Sequence, residues 1–99
     1  MRGLHDFFAR HKEYRWLYLG QNKITGDGLE SLLRCLQTAR LENIDLSNNR
    51  ITREAALESL ALLKRTRVRF VNLRNNIIEG AEKGRLVAEF KRRGIDIEI

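Results

Sequence analysis

Proline is absent from the 99-residue chain, and cysteine occurs once, as Cys35. A single cysteine excludes an internal disulfide and is typical of a protein kept in a reducing compartment. No apolar run is long enough to cross a bilayer, and the N-terminal segment MRGLHDFFARHKEY contains no signal-peptide core. No segment resembles a linker. We therefore expect a single domain that is intracellular and located in the cytoplasm.

Acidic residues are outnumbered by basic ones, 13 to 19, which gives a net charge of +6. The hydrophobic fraction of 42% is sufficient to bury a core. The basic balance is compatible with an acidic protein surface, RNA or an anionic membrane as partner, and does not choose among them. We expect a protein partner, with RNA or a ribonucleoprotein assembly as the other option, and no membrane.

Residues suited to catalysis or metal binding are sparse. His5 and His11 have no companion with metal-ligand spacing. No nucleophile–base pair, glycine-rich phosphate loop, paired-cysteine motif or pair of catalytic carboxylates occurs. Asp45 is a lone acid suited to contact a partner, and Cys35 is expected to be a half-buried structural thiol. We expect no enzyme, no cofactor and no metal site.

Three asparagines, Asn22, Asn49 and Asn76, lie 27 residues apart, and each closes the same frame of apolar residues. The frame recurs at four positions: Tyr14/Leu41/Val68, Leu17/Ile44/Val71, Leu19/Leu46/Leu73 and Ile24/Ile51/Ile78. A fixed period of this length predicts a solenoid with repeats at 14–40, 41–67 and 68–94.

Each repeat combines two periodicities. Alternation in the frame predicts a short strand with one buried face, and the asparagine amide is suited to cap backbone groups where the chain turns off that strand. Apolar residues then follow at helical spacing. Two sets of them are again 27 apart: Leu33/Leu60/Val87 and Leu36/Leu63/Phe90.

The segment LYLGQNKITGDGLESLLRCL resembles a leucine-rich repeat of the ribonuclease-inhibitor-like subclass. It contains the L-x-L-x-x-N-x-I core, Thr25 and then Gly28; the second repeat has Ala55 in place of this glycine, and the third has Lys83 in place of Leu29. The resemblance covers about residues 14–90. It implies an α/β fold, a short right-handed leucine-rich-repeat solenoid with parallel inner strands and outer helices, used as an intracellular binding module. Ribonuclease binding is not implied, because the chain is shorter than ribonuclease inhibitor and lacks its many cysteines.

Both ends of such a stack need cover. At the N-terminus, Leu4, Phe7, Phe8 and His11 have helical spacing, which predicts a helix within 1–13 that caps the first repeat or belongs to a partial one.

At the C-terminus, 95–99 predicts a last edge strand. Ile95 lies 27 residues after Val68, which would turn Glu98 inward, whereas a shift of one residue would turn Ile97 and Ile99 inward. The strand is a weak cap, or an edge that another chain or further repeats would complete.

The residues that alternate with the buried frame form three columns across the inner, concave face of the predicted sheet. The columns are Trp16/Asn43/Phe70, Tyr18/Asp45/Asn72 and Gly20/Ser47/Arg74. Aromatic residues and arginine are common binding anchors. We predict that this face binds the partner through Trp16, Tyr18, Asn43, Asp45, Phe70, Asn72 and Arg74. The alternative is that Trp16 and Phe70 pack against the terminal caps.

Basic residues collect where the chain returns from each helix to the next strand, and this basic rim consists of Arg40, Arg65, Arg67, Arg69, Lys91, Arg92 and Arg93. Asp27, Glu54, Glu79 and Glu82 lie at the opposite ends of the helices. Compensation of helix dipoles explains the acids well. It explains Arg40, Arg67 and Arg69 less well, since they lie beyond helix ends, so the rim is also a candidate for binding phosphate or acidic groups.

The sequence therefore predicts a non-catalytic protein–protein interaction module or scaffold that binds through its concave face. The alternative is a small basic component of a ribonucleoprotein or other large assembly, held by its basic rim and its C-terminal edge strand.

Overall fold

A computed structural model describes residues 16–38 and 40–99 of the chain, and the predicted N-terminal helix lies outside the described residues. The described part contains four strands and three helices in strict alternation. The strands are β1 (Trp16–Tyr18), β2 (Asn43–Asp45), β3 (Phe70–Asn72) and β4 (Asp96–Glu98). The helices are α1 (Gly26–Cys35), α2 (Arg53–Leu63) and α3 (Gly80–Arg92), and a 3-10 turn at Leu36–Thr38 extends α1.

The four strands form one parallel sheet in the order β1-β2-β3-β4. Leu17 pairs with Ile44, and Ile44 pairs with Val71, so the first three strands keep the register of 27 residues. Val71 then pairs with Ile97, a separation of 26. Ile95 is nevertheless buried, which leaves one residue fewer between Ile95 and Ile97 than between Val68 and Val71. The shifted register expected as one of two possibilities is therefore the one adopted.

A single apolar core lies between the sheet and the helices. The side chains of the middle strands, Ile44, Leu46, Val71 and Leu73, are at most 2% exposed. The corresponding residues of the outer strands, Leu17, Leu19, Ile97 and Ile99, are only partly buried against this core. The frame residues thus lie in columns, as predicted, and burial is deepest in the middle of the stack because residues there have neighbours on both sides.

Each helix places its apolar stripe on the core. Leu29, Leu32 and Leu33 are buried in α1, Ala56, Leu60 and Leu63 in α2, and Leu86 and Phe90 in α3. Neighbouring helices are in contact. In α2 the Thr52 hydroxyl oxygen accepts a bond of 3.2 Å from the Ala55 N–H and caps the helix. With the helices on one face of the sheet, the opposite face, predicted to be concave and here called the open face, is left to carry function.

Candidate interaction surface

Two columns of side chains cross the open face where the sequence predicts them. Trp16, Asn43 and Phe70 are paired in register, one strand beside the next, and so are Tyr18, Asp45 and Asn72. The pairing continues past the strands, where the Gln21 N–H bonds to the Ser47 carbonyl and the Asn48 N–H bonds to the Arg74 carbonyl. These bonds bring Gly20, Ser47 and Arg74 into a third column.

The fourth strand adds two carboxylates that the sequence analysis did not assign to this surface. Asp96 pairs with Phe70, and Glu98 pairs with Asn72, so both extend the columns. The Arg74 guanidinium lies 3.7 Å from the Glu98 carboxylate. The signal in the sequence was the alternation of Ile95, Ile97 and Ile99 read in its shifted register, which turns the two acids outward.

An aromatic cluster occupies the β1 end of the open face. The rings of Trp16 and Tyr18 are stacked with their centroids 5.8 Å apart, and the Trp16 and Phe70 rings lie 6.3 Å apart and tilted. Phe70 is half-buried, yet Trp16 is 47% exposed and Tyr18 is 69% exposed. Much aromatic surface therefore faces solvent, and the described ring contacts of Trp16 and Phe70 are within this cluster.

Polar side chains next to the aromatic cluster are held in place by the backbone. The Asp45 carboxylate accepts a bond of 2.9 Å from the Ser47 N–H, and the Asn72 side-chain oxygen accepts one of 3.0 Å from the Arg74 N–H. Both bonds span two residues and fix the side chain at the end of its strand. The open face is thus a preordered surface, with aromatic rings towards β1 and carboxylates towards β4.

The asparagines form the predicted structural turn. The side-chain oxygen of Asn49 accepts bonds from the N–H groups of Asn22 (3.0 Å) and Ile24 (2.9 Å). Its amide nitrogen donates to three carbonyls, those of Leu19, Leu46 and Ser47. One buried side chain therefore joins its own turn to that of the preceding strand.

The other two asparagines repeat this role to different extents. Asn76 accepts from the Ile51 N–H at 2.9 Å and donates to the carbonyls of Leu46 and Leu73. Asn22 is exposed, and its side chain donates only locally, to the Gly20 carbonyl at 3.0 Å. Each asparagine stabilises the turn before it, so the first has the least to hold.

All residues of the predicted basic rim are exposed. Arg40, Arg65, Arg67 and Arg69 lie in the connections to β2 and β3, while Lys91 and Arg92 end α3 and Arg93 follows it. Three arginines, Arg67, Arg69 and Arg93, line one open depression of about 500 Å³ together with Glu42, Thr66, Val68 and Gly94.

The predicted acids lie at the opposite end of the helices. Asp27, Glu54 and Glu82 occupy the first turns of α1, α2 and α3, where a carboxylate is favoured by the helix dipole. Glu82 also pairs with Arg53 at the start of α2. This arrangement accounts for the acids by helix stability and assigns them no ligand.

Other candidate sites are not developed by the structure. Cys35 is a free thiol, partly buried against the core as expected, whereas His5 and His11 lie outside the described residues. Within 16–38 and 40–99, no group of three or more His, Cys, Asp or Glu side chains is placed to hold a metal ion. None of the helices in these ranges is long and apolar enough to cross a membrane.

Comparisons with known proteins connect this geometry to a repeat family. A family model described as Leucine Rich Repeat matches residues 40–61. None of the curated proteins compared with the chain matches its sequence. Among solved structures, "Leiomodin-1 Actin-Binding Site 2 (ABS2)" matches with a TM-score of 0.70 at 13% identity. The match covers 99% of this chain and 63% of that structure.

At this identity the structural match shows the fold. The parallel sheet, the alternating helices and the matched repeat together support a leucine-rich repeat protein, while the ribonuclease-inhibitor-like subclass remains a resemblance carried by the sequence.

Proposed function

We propose that the chain is a non-catalytic protein–protein interaction module that binds its partner on the open face. The observation that carries this proposal is the aromatic cluster, in which Trp16 and Tyr18 expose large ring surfaces on an ordered sheet. Aromatic rings bury much area at little cost in conformational entropy, which is why they dominate binding energy at interfaces. The contact residues proposed are those of the columns: Trp16, Tyr18, Asn43, Asp45, Phe70, Asn72, Arg74, and the added Asp96 and Glu98.

The fold supports this use. A parallel sheet with fixed register presents its side chains without rearrangement, so little entropy is lost when a partner docks. Leiomodin-1 uses the same fold in an actin-binding site, as its title states. The likeness extends to the fold and supports a protein partner in general, while actin itself is not carried over to this chain.

The partner's charge follows from the open face more than from the net charge of the chain. Asp45, Asp96 and Glu98 against Arg74 give the columns an excess of negative charge. The positive excess lies on the basic rim. We therefore propose that an acidic partner surface would contact the rim, whereas the open face suits an apolar or basic segment. The reducing compartment suggested by the single cysteine places this binding in the cytoplasm.

The test is a comparison of partners captured by matched variants in the native extract. Tyr18→Ala and Trp16→Ala remove exposed rings from the open face. Ile77→Ala removes an apolar side chain that is 60% exposed beyond the asparagine turn and is the matched control. Proteins retained by wild type and Ile77→Ala but lost from both ring variants would support the proposal. Identical capture by all four proteins would contradict it.

A further inference from the structure

The shifted register of β4 creates a row of arginines that the period of 27 does not reveal. Arg40, Arg67 and Arg93 each lie three residues before the first residue of their strand, at Asn43, Phe70 and Asp96. These strands are consecutive neighbours in the sheet, and neighbouring strands are about 4.8 Å apart. The basic rim thus presents one arginine per strand along its length, with Arg69 beside the row.

These arginines are not used by the fold. Arg67, Arg69 and Arg93 line the same open depression, and none of them makes an ion pair with the described part of the chain. All are exposed. Glu42 is the one carboxylate that lines the depression, so its net charge is positive. The guanidinium group of arginine is a planar donor that fits the oxygens of phosphate.

We propose that this arginine row, Arg40, Arg67, Arg69 and Arg93, binds the phosphate backbone of a single-stranded nucleic acid. A row with one cation per strand matches a linear polymer with one charge per unit. Trp16 and Phe70 begin β1 and β3, at the same ends of the strands as the row, and supply ring surface on which bases can stack. This binding is independent of the partner proposed for the open face, and it would make the chain a component of a ribonucleoprotein assembly.

The experiment measures the affinity of the 99-residue chain for a fluorescent 12-nucleotide oligouridylate at several salt concentrations. Four phosphate contacts predict a slope of about −2.8 in log affinity against log salt, or about 50-fold weaker binding at 200 mM than at 50 mM. The double variant Arg67→Gln/Arg93→Gln should reduce the slope to about −1.4 and the weakening to about 7-fold.

The matched control removes the same net charge elsewhere. Lys23→Gln/Arg85→Gln changes two exposed basic residues at the asparagine turn and on α3 and should keep the wild-type slope. Equal losses in both double variants would show a response to net charge alone and overturn the row. The proposal would also be overturned by a slope near zero, or by a polyglutamate peptide of the same length binding as tightly as the RNA. Tyr18→Ala should leave RNA affinity unchanged, which separates this test from that of the open face.

Discussion

The turn around Asn49 and the turn around Asn22 have the same sequence frame and different surroundings. Asn49 is 7% exposed and its side chain makes five hydrogen bonds, four of them to backbone groups other than its neighbours Leu46 and Ser47 or shared with them across the turn. Asn22 is exposed and its side chain makes one local bond. The difference arises because each asparagine reaches back to the preceding strand.

The apolar residues show the same contrast. Leu46 is 1% exposed, whereas Leu19, at the same position one repeat earlier, is partly buried. In a stack of repeats, burial depends on the neighbours on both sides and not on the residue alone. Identical substitutions at equivalent positions should therefore cost different amounts, and that difference can be measured.

The largest expected effect is at the apolar column. Leu46→Ala removes a fully buried side chain between two strands and should lower the free energy of unfolding by about 2–5 kcal/mol. Leu19→Ala should cost about half as much or less, because the lost side chain is already partly exposed. Urea denaturation of both variants measures the difference. Equal costs would mean that the first strand is buried as deeply as the second.

The asparagine turns should follow with a smaller difference. Asn49→Ala leaves two N–H groups and several carbonyls without their partner and should cost about 1–3 kcal/mol. Asn22→Ala should cost less than about 0.5 kcal/mol, since it loses one exposed bond. Asn49→Asp keeps the accepting oxygen and loses all three donated bonds, so it should be no milder than alanine. An unchanged melting temperature in Asn49→Ala would refute the structural role.

Much of this could be predicted from the sequence because the repeat is local. The frame that ends in Asn22, Asn49 and Asn76 fixes the strands, their register and the turn, and the structure confirms all three for β1, β2 and β3. The columns of the open face follow directly, since alternate residues of a strand point to opposite faces.

The fourth strand could not be settled in the same way. Both registers bury an isoleucine at a frame position, Ile95 in one and Ile97 in the other, and the structure buries the first fully and the second in part. Asp96, Glu98 and the alignment of Arg93 with Arg67 all depend on that choice. A one-residue deletion within a repeat is resolved by packing, which the sequence pattern does not contain.

The backbone before each asparagine gives the smallest and most specific comparison. Gln21, Asn48 and Asn75 occupy the same turn position and have φ of 62°, 56° and 58°. This left-handed conformation is costly for most residues, but asparagine tolerates it well. Gln21→Asn should therefore stabilise the chain by about 0.5 kcal/mol, and the reciprocal Asn48→Gln should destabilise it by about as much. Thermal denaturation of the two single variants compares them directly. Shifts of opposite sign would show that one backbone requirement governs both turns, while shifts of the same sign would mean that side-chain contacts outweigh it.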